Sequence, residues 1–212
     1  MKHIPPDAAL DIASLGVTAD GTVIDRLGEF AGLLERGAGG RFGNLIGPSE
    51  MGRLWSRHIL ESVAFIPLLE TGVPVVDIGS GAGFPGIVLA LFGLEATLVE
   101  SRRKRFLFLM WVRETMKLGN VRLLNGRVED CGPFPGRVSF TARAVENPLS
   151  LVQRISVTSR EGFSLTVRTG EPYSHPPVGF VKELPSPPLD RPGFMVQFRH
   201  PGTGFHRGNG GT

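Results

Sequence analysis

The sequence predicts an α/β fold, a seven-stranded and mostly parallel sheet with an N-terminal helical cap. Three observations predict it. From residue 73 onward, strand-length apolar runs alternate with helical segments, which implies parallel strands joined by crossover helices. Residues 75–86, VVDIGSGAGFPG, pass from an apolar strand through a glycine-rich turn into a helix begun by Pro85, whose missing N–H costs nothing there. The 212 residues, 41% of them hydrophobic, suffice for one such domain and a small extension.

Residues 1–20 have no clear period. From Thr22 to Arg36, the apolar residues Val23, Ile24, Leu27, Phe30, Ala31, Leu33 and Leu34 fit one helix face. GAGGRFGN then breaks the pattern. A second helix is expected from about Ser49 to Leu69, started by Pro48-Ser49, with Met51, Leu54, Trp55, Ile59, Val63 and Ile66 on its apolar face. These helices assign residues 1–70 to the cap and 71–200 to the sheet domain. Strands are expected at 73–78, 96–99, 121–124, 138–142, 163–167, 179–184 and 194–198, with helices at about 86–93, 102–118 and 147–156. The last two strands follow each other without a helix, so the sheet should end in a reversed hairpin. The proline-rich stretch TGEPYSHPPV is expected to be a loop, and the glycine-rich residues 201–212 a disordered tail.

The formal net charge of +3 is compatible with an RNA partner and does not require one. Only four of the 23 basic residues are lysine, and arginine forks suit phosphates, although a codon bias would give the same excess. A single cysteine, Cys131, excludes an internal disulfide framework and a cysteine-rich zinc site; no metal site is expected. The longest apolar stretch, Phe84 to Leu94, is too short to span a bilayer, and the N-terminus lacks a signal-peptide pattern. The expectation is a cytoplasmic protein without membrane contact.

The glycine turn has two ligand readings and one without a ligand. Gly81, Gly83 and Gly86 form a G-x-G-x-x-G, with Glu100 at about the distance of a ribose-binding acid, so a dinucleotide site is one reading. Asp77 favours another. A carboxylate at the strand tip repels a pyrophosphate and attracts a ligand carrying an amino group and a sulfonium, as S-adenosylmethionine does. A plain strand-to-helix turn is the third reading.

The surrounding residues narrow the choice. WSRHILES (55–62) precedes the glycine turn, and TLVESRRKRFLFL (97–109), RVED (127–130) and TARA (141–144) follow it. This order resembles the RsmG family, also called glucose-inhibited division protein B, over roughly residues 40–156. The resemblance implies a Rossmann-like class I methyltransferase that transfers a methyl group from S-adenosyl-L-methionine to N7 of a guanine in bacterial 16S rRNA, in the small ribosomal subunit or its precursor, with no obligate protein partner. The chain departs from the family pattern in two places. Only Asn44-Leu45 remains of an N-L-T block, and Arg168-Thr169-Gly170 stands where a lysine-glycine pair is usual, with the following helix missing.

Candidate site residues follow. Asp77, Gly79, Ser80, Gly81, Gly83 and Phe84 should bind the methionine end of the cofactor, with Asp77 capping the next helix instead or as well. Glu100 should accept hydrogen bonds from the ribose diol, or else cap the helix beside it. Val128 and Glu129, after the third strand, should border the adenine; an exposed loop acid is the alternative for Glu129. Arg102, Arg103, Lys104 and Arg105 crowd a helix start, where cations oppose the dipole, which suggests phosphate contact over pairing with Glu100 or simple solvation. Arg57 and His58 are expected as pocket formers, with His58 on the inward face of Trp55 and Ile59 and a buried core histidine as the alternative. Arg143, just past the fourth strand, is the candidate for holding the target base; an ion pair with Glu146 competes with that role.

Guanine N7 has an in-plane lone pair and no proton, so it needs no general base, and catalysis reduces to positioning and desolvation. Two other functions compete: an NAD(P)-dependent oxidoreductase on the same fold, and a non-catalytic RNA-binding relative.

Overall fold

The computed structural model describes residues 3–38, 41–143, 147–171, 173 and 178–201. Seven strands, β1 (Val75–Ile78), β2 (Ala96–Val99), β3 (Val121–Leu124), β4 (Val138–Arg143), β5 (Phe163–Thr169), β6 (Val178–Leu184) and β7 (Gly193–His200), form one sheet in the order β3-β2-β1-β4-β5-β7-β6. The first five are parallel, and β7 runs antiparallel to both β5 and β6. Strand order reverses between β1 and β4, and in such sheets the crevice outside the carboxyl ends of the strands at that point takes ligands. The expected strands are present with small shifts. β1 starts at Val75 because the Val73 N–H is used in a turn, donating to the Glu70 carbonyl at 3.2 Å.

The helices are α1 (Ala8–Ser14), α2 (Gly21–Ala38), α3 (Pro48–Met51), α4 (Leu60–Val63), α5 (Gly86–Leu91), α6 (Arg103–Thr115), α7 (Val128–Cys131) and α8 (Pro148–Ser156). Burial alternates along β1. Val75 joins Leu27, Phe30, Leu60, Ile87, Leu98 and Phe108 in a core beneath the cap, α5 and α6. Val76 joins Val99, Phe140, Leu151, Ile155 and Leu165 in a second core beneath α8. The N-terminal helices thus bury their apolar stripes directly on one face of the sheet.

Three expectations are corrected. The long helix over 49–69 is broken into α3, a π turn (Leu54–Ile59), α4 and a 3-10 turn (Ile66–Leu68). Gly52 and Pro67 interrupt it, and the N–H of Leu60 reaches back five residues to the Trp55 carbonyl. The widened turn separates residues that ordinary helical spacing would align. Residues 8–14, which show no period, are helical because Ala8 and Ile12 reach the core. Residues 128–131, read as a loop, form α7. The expected disordered tail lies outside the described residues from 202 onward, as do 172 and 174–177 of the proline-rich loop.

Candidate functional site

The turn after β1 is built by main-chain conformation. Gly79, Gly81 and Gly83 have φ values of +68°, +58° and +98°, which residues with a Cβ rarely adopt. Gly79, Ser80, Gly81, Ala82 and Phe84 line a cavity of about 860 Å3 at the carboxyl ends of β1, β4 and β5. Nothing lies within 4 Å of a Cβ built on Gly79, so its backbone faces open space. Gly83 is turned the other way, against Ile87 and Phe30.

The two acids of the motif support this turn from behind. Asp77 is 0% exposed. Its Oδ2 accepts from the Gly86 N–H at 3.0 Å, at the start of α5, and its Oδ1 from the Thr141 hydroxyl at 3.2 Å. Burial pushes its carboxyl up to about 6, against the hydrogen bonds of Gly86 and Thr141 and the charge of Arg143, which lower it. The helix-capping alternative is therefore what Asp77 does here: its carboxylate does not face the cavity. Glu100, 4% exposed, accepts from the Gly81 N–H at 2.8 Å and from the Arg102 N–H at 2.7 Å. Its carboxylate both braces the glycine turn and caps α6. The Asn125 side chain and the Gly126 N–H donate to the Glu100 carbonyl, which brings the β3–α7 connection beside it. Val128 is buried there, and Glu129 is half-buried with Arg154 at 3.8 Å; neither lines the cavity.

The opposite wall is a side-chain network. Arg143, at the end of β4, donates through Nη2 to the Arg57 carbonyl at 3.0 Å and to Glu61 Oε2 at 2.7 Å. Its guanidinium carbon lies 5.9 Å from the centre of the Phe84 ring. Burial draws the Arg143 guanidinium below its ordinary value, and Glu61 opposes that shift. Arg168, at the end of β5, holds Glu61 Oε1 at 3.0 Å. The expected competitor for Arg143, Glu146, lies outside the described residues; the carboxylate that Arg143 does engage is Glu61.

His58 does not share the inward face of Trp55. The π turn sends Trp55 toward α1, where its Nε1 donates to Asp11 Oδ2 at 2.7 Å, and sends His58 into the cavity wall, its ring 5.2 Å from that of Phe84. His58 Nε2 lies 3.2 Å from Glu50 Oε2, and Arg143 Nη2 lies 3.5 Å from Nδ1. Burial and then the Arg143 charge lower His58 to about 4, so it is neutral at pH 7, with Nε2–H assigned as donor to Glu50. Arg57 Nε donates to the same Glu50 oxygen at 2.5 Å. Both Arg57 and His58 line the cavity, as expected.

The basic run divides. Arg102, Arg103 and Lys104 are exposed, whereas Arg105 is half-buried, with its Nη1 3.5 Å from where a Gly81 Cβ would stand. Sequence reasoning missed Glu50, Glu61 and Arg168 as site residues. Glu61 lies inside the RHILES block and Arg168 inside the Arg168-Thr169-Gly170 departure at the end of β5, so both signals were present without a partner to give them meaning.

The arrangement can therefore seat a ligand on glycine main chain at one end and offer guanidinium donors around an acceptor at the other. A family model described as GidB, rRNA small subunit methyltransferase G, matches residues 26–168. The Ribosomal RNA small subunit methyltransferase G of Thermobifida fusca (strain YX) is 40% identical over 129 residues, 60% of this chain and 54% of that protein. The protein of the same name from Salinispora arenicola (strain CNS-205) is 40% identical over 154 residues, 68% of this chain and 62% of that one. The chain thus spans between half and two thirds of the length of these curated relatives. A crystal structure of a mutant of MtNAS in complex with S-adenosylmethionine shares the fold, with a TM-score of 0.55 at 16% identity, over 93% of this chain and 85% of that one.

Proposed function

The chain belongs to the rRNA small subunit methyltransferase G family, and from that membership we propose that it methylates N7 of a guanine in 16S rRNA, using S-adenosyl-L-methionine, within the small ribosomal subunit or its precursor. The observation that carries this reading is one cavity joining a glycine turn to a guanidinium wall. Its volume of about 860 Å3 is in the upper range of small-molecule sites and suits a cofactor together with an extruded base.

The residues present fit the cofactor. Gly79 offers main chain facing open space, and Glu100, just past the end of β2, is proposed to act by bracing the turn that a ribose would meet, both its oxygens being held by the Gly81 and Arg102 N–H groups. Asp77 acts through the turn, by fixing the start of α5. When bound, S-adenosylmethionine supplies an electrophilic methyl to the N7 lone pair, and the carbon–sulfur electron pair leaves with a neutral thioether. Phe84 and His58 close the cavity side of the turn and exclude water. Arg143 has Nη2 committed to Glu61 and Arg57, so Nη1 and Nε remain to hold guanine O6 or a backbone phosphate while N7 stays free. No proton leaves the acceptor, which suits a wall whose histidine is held neutral and hydrogen-bonded. Arg102, Arg103 and Lys104 are proposed to meet RNA phosphates.

A dinucleotide reading is disfavoured by Asp77. Its carboxylate takes the Gly86 N–H, a donor a pyrophosphate would need. Among the described residues no helix is long and apolar enough to cross a membrane, and no cluster of side chains is arranged to hold a metal ion.

The test is binding of labelled S-adenosylmethionine to the purified protein, followed by methyl transfer to hypomodified small subunits, with borohydride–aniline cleavage to map N7-methylguanosine. Binding without transfer would select the non-catalytic relative. Absence of cofactor binding would overturn the proposal.

A further inference from the structure

Glu61 is 3% exposed, lines the cavity and is shared by two guanidiniums. Arg143 Nη2 holds one carboxylate oxygen at 2.7 Å and Arg168 Nη2 the other at 3.0 Å. Neither cation can turn away. The Arg57 carbonyl fixes Arg143. Arg168 donates to the carbonyls of Thr169 at 2.5 Å and Pro192 at 3.2 Å, and it lies flat on Gly193, where a Cβ would come within 2.4 Å of its guanidinium carbon. The wall therefore holds two fixed positive charges and one fixed negative charge. Of the other charges nearby, Arg57 is paired with Glu50 and His58 is neutral, Asp77 sits behind the wall with its charge acting on Arg143, and Glu171 and Arg191, one of each sign, line the same cavity; these stay constant when Glu61 or Arg168 is changed.

We propose that Glu61 is a specificity-determining residue that sets how strongly the cavity prefers a sulfonium over the corresponding thioether. This inference rests on the cofactor reading above. S-adenosylmethionine and S-adenosylhomocysteine carry the same amino acid, ribose and adenine; only the sulfonium charge and its methyl differ. A methyl group aimed at an acceptor beside Arg143 puts that charge within reach of the Glu61 cluster. Two uncompensated guanidiniums would repel the substrate form of the cofactor and leave the product form unaffected. Glu61 cancels one of them. A unit charge several ångströms away in a partly screened cavity changes an affinity by about tenfold or more.

A charge series tests this. With Glu61 present the cluster has a net charge of +1. Glu61→Gln raises it to +2 while keeping an acceptor for Arg143, Arg168→Met lowers it to zero, and the double variant Glu61→Gln with Arg168→Met restores +1. Calorimetry of each protein with both ligands gives the ratio of their dissociation constants. The expected result is a shift of about tenfold against S-adenosylmethionine in Glu61→Gln, a shift in its favour in Arg168→Met, and a double variant within about twofold of the wild-type ratio. Equal weakening of both ligands, or a ratio that does not follow net charge, would overturn the proposal, since a purely structural role moves both ligands together. Should Glu61→Gln fail to fold, Arg168→Met and the double variant still carry the test: one must shift the ratio and the other must keep it. Wild-type protein that binds neither ligand would instead refute the cofactor reading, and this inference with it.

Discussion

The glycine wall of the cavity is tied together by carboxylates and main-chain N–H groups close in the chain, and the arginine wall by an ion-paired cluster from distant segments. Asp77 and Glu100 accept N–H groups nine and 19 residues away, within one strand–turn–helix unit and its neighbour strand. Glu61 and Arg143 meet across 82 residues, and Arg168 joins them from yet another strand. The first wall forms wherever β1 and β2 pair. The second forms only when the cap has docked on the sheet. Motif residues in the first wall therefore serve largely to hold shape, while the second lines the cavity with guanidinium groups.

The largest effect that would sharpen this contrast is on turnover. Arg143→Ala should lower single-turnover methyl transfer by about two orders of magnitude, the scale of lost orientation near the reacting atoms. Binding of S-adenosylmethionine should not weaken, because a positive charge has been removed. Stability should fall by about 2 kcal/mol with the loss of a hydrogen bond to a charged partner. Near-normal turnover would return Arg143 to a structural role.

The glycine wall should answer in stability. A Cβ at Gly86 would stand 2.7 Å from both Asp77 Oδ2 and Leu98 Cγ. Gly86→Ala should therefore cost about 1–3 kcal/mol in urea denaturation, the range for overpacking a core. Gly21→Ala, at the start of α2 with nothing within 4 Å, is the control and should be neutral or slightly stabilising. Equal effects at both sites would mean that the contact behind the turn carries no strain.

The two walls should also respond to acid with opposite signs. Asp77 is held at about 6, above its ordinary 3.8, so between those values the folded protein keeps a proton that the unfolded chain releases, and acidification favours folding. His58 is held at about 4, below its ordinary 6.5, so in that window the unfolded chain binds a proton that the folded protein refuses, and acidification favours unfolding. In the wild type the two partly cancel between pH 7 and 5. Relative to it, Asp77→Asn should lose more stability over that interval, and His58→Gln should lose less or gain. Urea titrations at both pH values measure this, and parallel pH profiles in all three proteins would refute it.

The smallest effect on the fold belongs to the exposed cations. Replacing Arg102, Arg103 and Lys104 with Ala should leave stability within about 0.5 kcal/mol of the wild type. It should flatten the salt dependence of RNA binding by up to about one unit of slope per lost contact. An unchanged slope would make these residues a solvated helix end.

The fold and the glycine wall are readable from the chain because their signals are local. Alternating apolar runs specify β1 to β5, the absence of a helix between the last strands specifies the reversed hairpin, and positive-φ glycines next to a strand tip specify the turn. The same local logic misreads residues 49–69, where apolar spacing fits a continuous helix. The structure there is decided by docking: Trp55 reaches Asp11 and His58 reaches Glu50, with a π turn spanning both.

The sequence by itself determined the α/β class, the positions of its seven strands, the cavity's glycine edge and the family to which the chain belongs. The tertiary structure alone decided that Glu100 spends both oxygens on backbone N–H groups and Asp77 its oxygens on the Gly86 N–H and the Thr141 hydroxyl, that His58 is neutral, and that Glu61 holds Arg143 and Arg168 together. The physical reason is that hydrogen-bond partners and burial fix what a charged side chain does. The local signals of a strand or a turn lie within a few residues, whereas the partners of these side chains come from segments that meet only when the sheet and its cap have packed.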